Sequence, residues 1–139
     1  MKKIIVSIFS IISIGSCSDD ESINCSVIGC FGGDIIEVIF LENDQNILTI
    51  SPETEITMTQ NSASLDFYIN TMNNQITIFL SAEDPINIVV GGNELNMEIS
   101  STFVEGECCG GIKVDSLTID NLEICNGESC NEVLSVNVD

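Results

Sequence analysis

The sequence predicts an all-β fold: an antiparallel β-sandwich, immunoglobulin-like or a related Greek key, stapled by disulfides. Three observations predict it. From Asp34 onward apolar residues alternate with polar ones at period 2, and no window shows a period of 3.6. Clusters of Asn, Asp, Gly and Pro break the alternation about every 8–12 residues, the spacing of a sandwich or barrel. Seven cysteines occur, and six remain for an oxidised framework once Cys17 is set aside for the reason given below.

The runs follow in order. Ile36, Val38 and Phe40 share one face of the first strand, and Ile56 and Met58 one face of the next. Leu65, Phe67 and Ile69, then Ile76, Ile78 and Leu80, then Ile86, Ile88 and Val90 repeat the pattern. Leu95, Met97, Ile99 and Phe103 make a longer strand. Ile112 and Val114 are in phase, whereas Leu117 and Ile119 fall in the other phase, so a bulge is expected around Asp115-Ser116. Leu122 with Ile124, and Leu134 with Val136 and Val138, complete the set. Glu42 to Asn46, Asn73-Asn74, Glu83-Asp84-Pro85, Gly91-Gly92-Asn93 and Asn126-Gly127 supply the turns, because Asn and Gly tolerate the positive φ of tight hairpins. Two sheets packed face to face would bury one alternating face of every strand.

The first sixteen residues are of another kind. Lys2 and Lys3 precede an apolar run, Ile4 to Ile14, broken only by Ser7, Ser10 and Ser13. This run is shorter than the roughly 20 residues a membrane span needs. A basic start, a short apolar middle and a small-residue end describe an export signal. Ile14-Gly15-Ser16-Cys17 resembles the bacterial lipobox, which implies cleavage before Cys17 and lipidation of its sulfur. Ser18-Asp19-Asp20-Glu21 resembles the surface-export signal of lipoproteins from the Bacteroidetes phylum. The expected organisation is a signal peptide over 1–16, a lipidated tether over 17–33 and a β-sandwich domain over 34–139. The expected location is the outer membrane, lipid-anchored and facing the cell exterior.

Charge and composition narrow the chemistry. The chain has 22 Asp and Glu against three Lys and Arg, a net charge of −19. Loss of Lys2 and Lys3 with the signal leaves Lys113 alone among the acids. Such a field repels nucleic acid and anionic lipid and attracts cations and basic partners. His, Trp and Arg are absent and Tyr68 is the single tyrosine. The usual general base, anion clamp and sugar-stacking platforms are therefore missing. Carboxylate pairs could hydrolyse glycosides, but with 22 acids pairs arise by chance.

Cys25, Cys30, Cys108, Cys109, Cys125 and Cys130 allow 15 pairings. Cys125 and Cys130 flank a four-residue loop, Asn126 to Ser129, that could close a hairpin, so these two are expected to pair. Adjacent side chains in an extended strand point to opposite faces, so Cys108 and Cys109 are expected to bond to Cys25 and Cys30 rather than to each other. A thiolate metal site is the rival reading. A redox pair is disfavoured because no C-x-x-C occurs. Calcium is the one cofactor that acidic turns could take, above all at Glu42 and Asp44, with Glu83-Asp84 and Glu105 with Glu107 as lesser candidates. Asp115-Ser116-Leu117 resembles the Bacteroidetes O-glycosylation acceptor, with Ser116 as the modified hydroxyl.

Asp34 to Ile124 also resembles small lipoproteins of the same phylum. The shared features are the strand Asp34 to Leu41, its Asn/Asp hairpin, the Cys108-Cys109 pair and the Ile112–Ile124 strand pair. The resemblance implies location and fold class but no activity. The expected function is a lipid-anchored surface module that binds a protein or glycan partner, with no catalysis. The alternative is a carboxylate- or metal-dependent hydrolase of extracellular glycans.

Overall fold

The computed structural model describes residues 30–138. The proposed signal, Cys17, the run Ser18 to Glu21, and Cys25 lie outside the described residues.

Two sheets pack face to face. The strands are β1 (Asp34–Glu42), β2 (Gln45–Asn46), β3 (Ile56–Gln60), β4 (Ala63–Ser64), β5 (Phe67–Asn70), β6 (Gln75–Leu80), β7 (Ile86–Val90), β8 (Asn93–Val104), β9 (Gly111–Ile119), β10 (Leu122–Asn126) and β11 (Val133–Asn137). Sheet A has the order β11-β1-β6-β5, with β2 folded back on the end of β1. Sheet B has the order β10-β9-β8-β7-β3-β4. The β1–β6 and β3–β7 neighbours are not consecutive, so the chain crosses between sheets as in Greek-key sandwiches.

The alternating residues form the core. Val38, Ile76, Ile78, Leu80, Ile86, Ile88, Val90 and Met97 are fully buried, and no polar or charged residue is buried among the described residues. Leu65, Phe67, Ile69, Ile112 and Ile124 pack against this cluster from its margins. The turns follow the expected chemistry: Asn43-Asp44 and Gly91-Gly92 have positive φ at both positions, the geometry of a two-residue hairpin. Asn61-Ser62 and Asp120-Asn121 do the same and were not expected.

The expected bulge is present. Ser100 pairs with Ser116 and Ser101 with Val114, so Asp115 is the extra residue. It lets Val114 and Leu117 both face the core.

Three expectations are corrected. Phe103 is 64% exposed rather than buried. Its partner Ile112 lies beside the incoming chain, donating its N–H to the Gly32 carbonyl at 3.2 Å. Phe103 is one strand further out, and its ring covers Gly110 where a Cβ would stand. Leu122 is 70% exposed: it pairs with Ile119 at the hairpin end of β10, the edge strand of sheet B, and beyond it Ile124 is a second extra residue ahead of the buried Cys125. Residues 126–129 do not close a hairpin. A 3-10 helix, Gly127–Asn131, carries the chain from sheet B to sheet A instead. The expected antiparallel sandwich is present, with one parallel pair in it: β11 runs with β1 from Glu37↔Val133 to Leu41↔Asn137. The two strands lie at opposite ends of the described chain, so a crossing between sheets, not a turn, sets their direction. One helical turn, α1 (Ile47–Ile50), has no period to betray it. The Asn46 side chain caps it by accepting from the Leu48 N–H at 3.0 Å.

Two disulfides staple the fold. Cys125–Cys130 joins residues five apart, with both side chains buried. Cys30–Cys109 spans 79 residues and fastens the incoming chain to the β8–β9 loop. Cys108 is disulfide-bonded as well. Bridges of this number are those of an exported chain. No helix among the described residues is long and apolar enough to cross a membrane.

Ile78→Ala removes a fully buried side chain from β6. It should lower stability by about 2–5 kcal/mol in urea unfolding; a loss below about 1 kcal/mol would mean that the core does not pack as described. Replacing both Cys30 and Cys109 by Ala should cost about 4 kcal/mol through loop entropy, against about 2 kcal/mol for the loop of Cys125 and Cys130. Equal losses in denaturant titrations would contradict this ranking.

Candidate functional surface

The sites expected from sequence do not converge. Glu42 and Asp44 belong to the β1–β2 hairpin, with Asp44 exposed at its tip. The Glu83 carboxylate is engaged elsewhere: its Oε1 accepts from the Ser101 N–H at 2.9 Å and the Ser101 hydroxyl at 2.7 Å. Glu105 and Glu107 lie in the β8–β9 loop. No group of three or more metal-binding side chains forms among the described residues. Ser116 sits within β9, half-buried, paired with Ser100 on one side and Asn126 on the other. The adjacent Asp115 carboxylate accepts from the Thr102 hydroxyl.

The concavities among the described residues include three of note. A hollow of about 300 Å³ is lined by glycines 32, 33, 106, 110 and 111 with Val104, Cys109 and Ile112. Its floor is backbone because side chains are excluded. A Cβ at Gly33 would strike the Leu80 carbonyl, and one at Gly111 would lie 2.7 Å from the Gly32 carbonyl carbon. A second, about 340 Å³, lies at the β10–β11 seam between Leu95, Leu122, Ile124 and Val136. The third, about 240 Å³, is lined by Glu55, Thr57, Val89 and the Gly91-Gly92 turn. The glycine hollow presents no titratable side chain, Asp120 is the only one at the seam, and Glu55 the only one at the third. None assembles a pair of acids for hydrolysis.

The outer faces of the two sheets differ more than any cavity does. On sheet B the outward positions include Thr57, Thr59, Asn87, Val89, Glu94, Asn96, Glu98, Ser100, Thr102, Val104, Lys113, Ser116, Thr118 and Glu123. That face is mostly polar, with glutamates outnumbering its lysine. On sheet A the outward residues of β1 are Ile35, Glu37, Ile39 and Leu41. Cross-strand partners share a face. Ile35 therefore stands beside Phe79, and one row runs Val133, Glu37, Thr77, Tyr68 across four strands. Phe31 extends the surface, its ring edge-on to Phe79 at 5.9 Å between centroids. Exposure is 50% for Phe31 and Ile35, 60% for Tyr68, 36% for Phe79 and 39% for Val133. Exposed apolar side chains grouped on one sheet face, here interspersed with Thr77, Gln75, Asn70, Ser135 and Asn137, mark an interaction surface. Glu37 is the one carboxylate among the outward positions of β1, β6, β5 and β11.

The frame beneath the face is rigid at its start. Asp34 ties the sheets together: its Oδ2 accepts from the Val114 N–H in sheet B at 2.8 Å, and its Oδ1 from its neighbour Ile35 at 2.9 Å. At the far end the Asn93 side chain donates to the Val138 carbonyl at 2.8 Å. The sequence reading missed this surface. Its signal was present in Ile35, Ile39, Leu41 and Phe79, apolar residues in the phase that should be polar.

Comparison with protein-family profiles, curated proteins and solved structures returns no match.

Tyr68→Ser should change stability by less than about 1 kcal/mol, because it loses only cross-strand contacts on an exposed face. Asp34→Ala should cost about 1–3 kcal/mol by orphaning the Val114 N–H. Urea midpoints check both, and a costly Tyr68→Ser would mean that the face is structural.

Proposed function

We propose that this chain is a lipid-anchored interaction module of the outer membrane, held by Cys17 and turned to the cell exterior by the run Ser18 to Glu21. It binds a protein partner and performs no catalysis. The observation that carries this reading is the apolar outer face of sheet A, with Ile35, Phe79, Tyr68 and Val133 exposed together. The opposite sheet face, polar and acidic, serves solubility. A protein fits this face better than a glycan does, because its aromatic pair, Phe31 and Phe79, stands edge-on rather than as a flat sugar platform and carries no polar tip. The disulfides and the tether support an extracellular post. Lipid contributes about 0.8 kcal/mol per buried CH₂, so two or more chains hold a protein of this size stably.

Mass spectrometry of the protein from cells should find Cys17 as the first residue carrying acyl chains, and Cys17→Ala should release it from the membrane fraction. Protease added to intact cells should degrade it. Replacing Asp19 and Asp20 by Asn and Glu21 by Gln should protect it until the outer membrane is broken. An unmodified Met1 terminus would overturn the anchor, and protection of the wild type would overturn surface exposure.

A further inference from the structure

Glu37 is exposed in the middle of the apolar face of sheet A, with Val133 on one side and Thr77 then Tyr68 on the other. The core does not require it: the side chain points away from Ile36 and Val38. A partner that covers this row strips water from a carboxylate, and an unpaired desolvated charge is costly. Glu37 therefore opposes every partner except one that brings a positive charge to the same spot. The whole chain pulls the same way, since its net charge of −19 steers cationic surfaces toward it.

We propose that the partner is a protein surface with an apolar centre holding one lysine or arginine, which meets Glu37, and with a basic rim. Glu37 is then the specificity-determining residue of the face. The apolar side chains supply the buried area, and the ion pair fixes the register and rejects neutral or acidic competitors. A second copy docked face to face about Glu37 does not fit, because the two carboxylates would meet and repel.

This inference rests on the docking role proposed above, and one experiment separates the two. A photo-cross-linking residue replaces Tyr68 in the full-length protein on intact cells, with a control at Thr57 on the opposite sheet face. The adduct is identified by mass spectrometry and its yield compared among wild type, Glu37→Gln and Glu37→Lys. Neither substitution touches the core, and equal thermal midpoints would verify the fold. The expected result is a protein adduct from position 68 but not 57, reduced about tenfold or more by Glu37→Gln and further by Glu37→Lys. The adduct region should contain a lysine or arginine. An unchanged or higher yield with Glu37→Gln would overturn the inference while leaving the docking face intact, because the carboxylate would then be an impediment rather than a contact. A self-adduct would also overturn it. Absence of any adduct from position 68 would overturn both proposals.

Discussion

Strand β1 is apolar on both faces, and most of the molecule follows from that. Its inner residues Ile36, Val38 and Phe40 are 1%, 0% and 1% exposed and set the phase of the core. Its outer residues Ile35, Ile39 and Leu41 must then lie outside the sandwich. A central strand of a parallel sheet would cover both faces with helices. Here only the inner face is covered within the described residues. β1 is also where the chain closes on itself, since β6 pairs with it on one edge and β11 on the other. Pairing the first and last described strands gives the sandwich a joint of long sequence separation, the kind of contact that slows folding.

The elements were legible to different degrees, for physical reasons. Alternation located the inner residues of nearly every strand because burial on one face imposes period 2. The bulge at Asp115 was legible for the same reason, as a break in phase between Val114 and Leu117. The second extra residue, Ile124, was not, because an isoleucine beside a cysteine leaves no visible break when either could face inward. The Asn43-Asp44 and Gly91-Gly92 turns announced themselves by residue type, whereas Asn61-Ser62 is a less usual pair for positive φ. The parallel β1–β11 pair had no local signal at all, since register between distant strands is decided by where the crossings deliver them. Of the sites, Cys125–Cys130 was legible by proximity, though its geometry was misread. The docking face was hidden because the buried phase alone accounts for the alternation and leaves apolar residues in the other phase unexplained.

The staples divide the labour in a way that matches this topology. Cys125–Cys130 sits in the core at the crossing from sheet B to sheet A and holds the 3-10 turn that aims β11 at β1. Cys30–Cys109 works at the opposite end of β1. There the Gly32 carbonyl accepts from Ile112 and the Asp34 carboxylate accepts from Val114, so the incoming chain is joined to sheet B before it enters sheet A. That end carries Phe31 and the glycine hollow, and fixing it fixes the edge of the exposed face. A surface meant to bind gains from such fixation, because less ordering entropy remains to be lost on association.

Carboxylates are unevenly divided between the two outer sheet faces, and the division has a mechanical consequence. Acids such as Glu94, Glu98 and Glu123 line the outer face of sheet B, where they keep the molecule dispersed and cannot be covered cheaply. On sheet A the aliphatic and aromatic side chains can be covered at a gain of about 25 cal/mol for each Å² of apolar surface removed from water. Apolar contact is indifferent to direction, so a face made of it alone would accept many partners in many registers. One carboxylate among those side chains removes that freedom. It contributes little to affinity when matched and much against it when not, which is how a small, flat and otherwise unspecific sheet surface acquires an address.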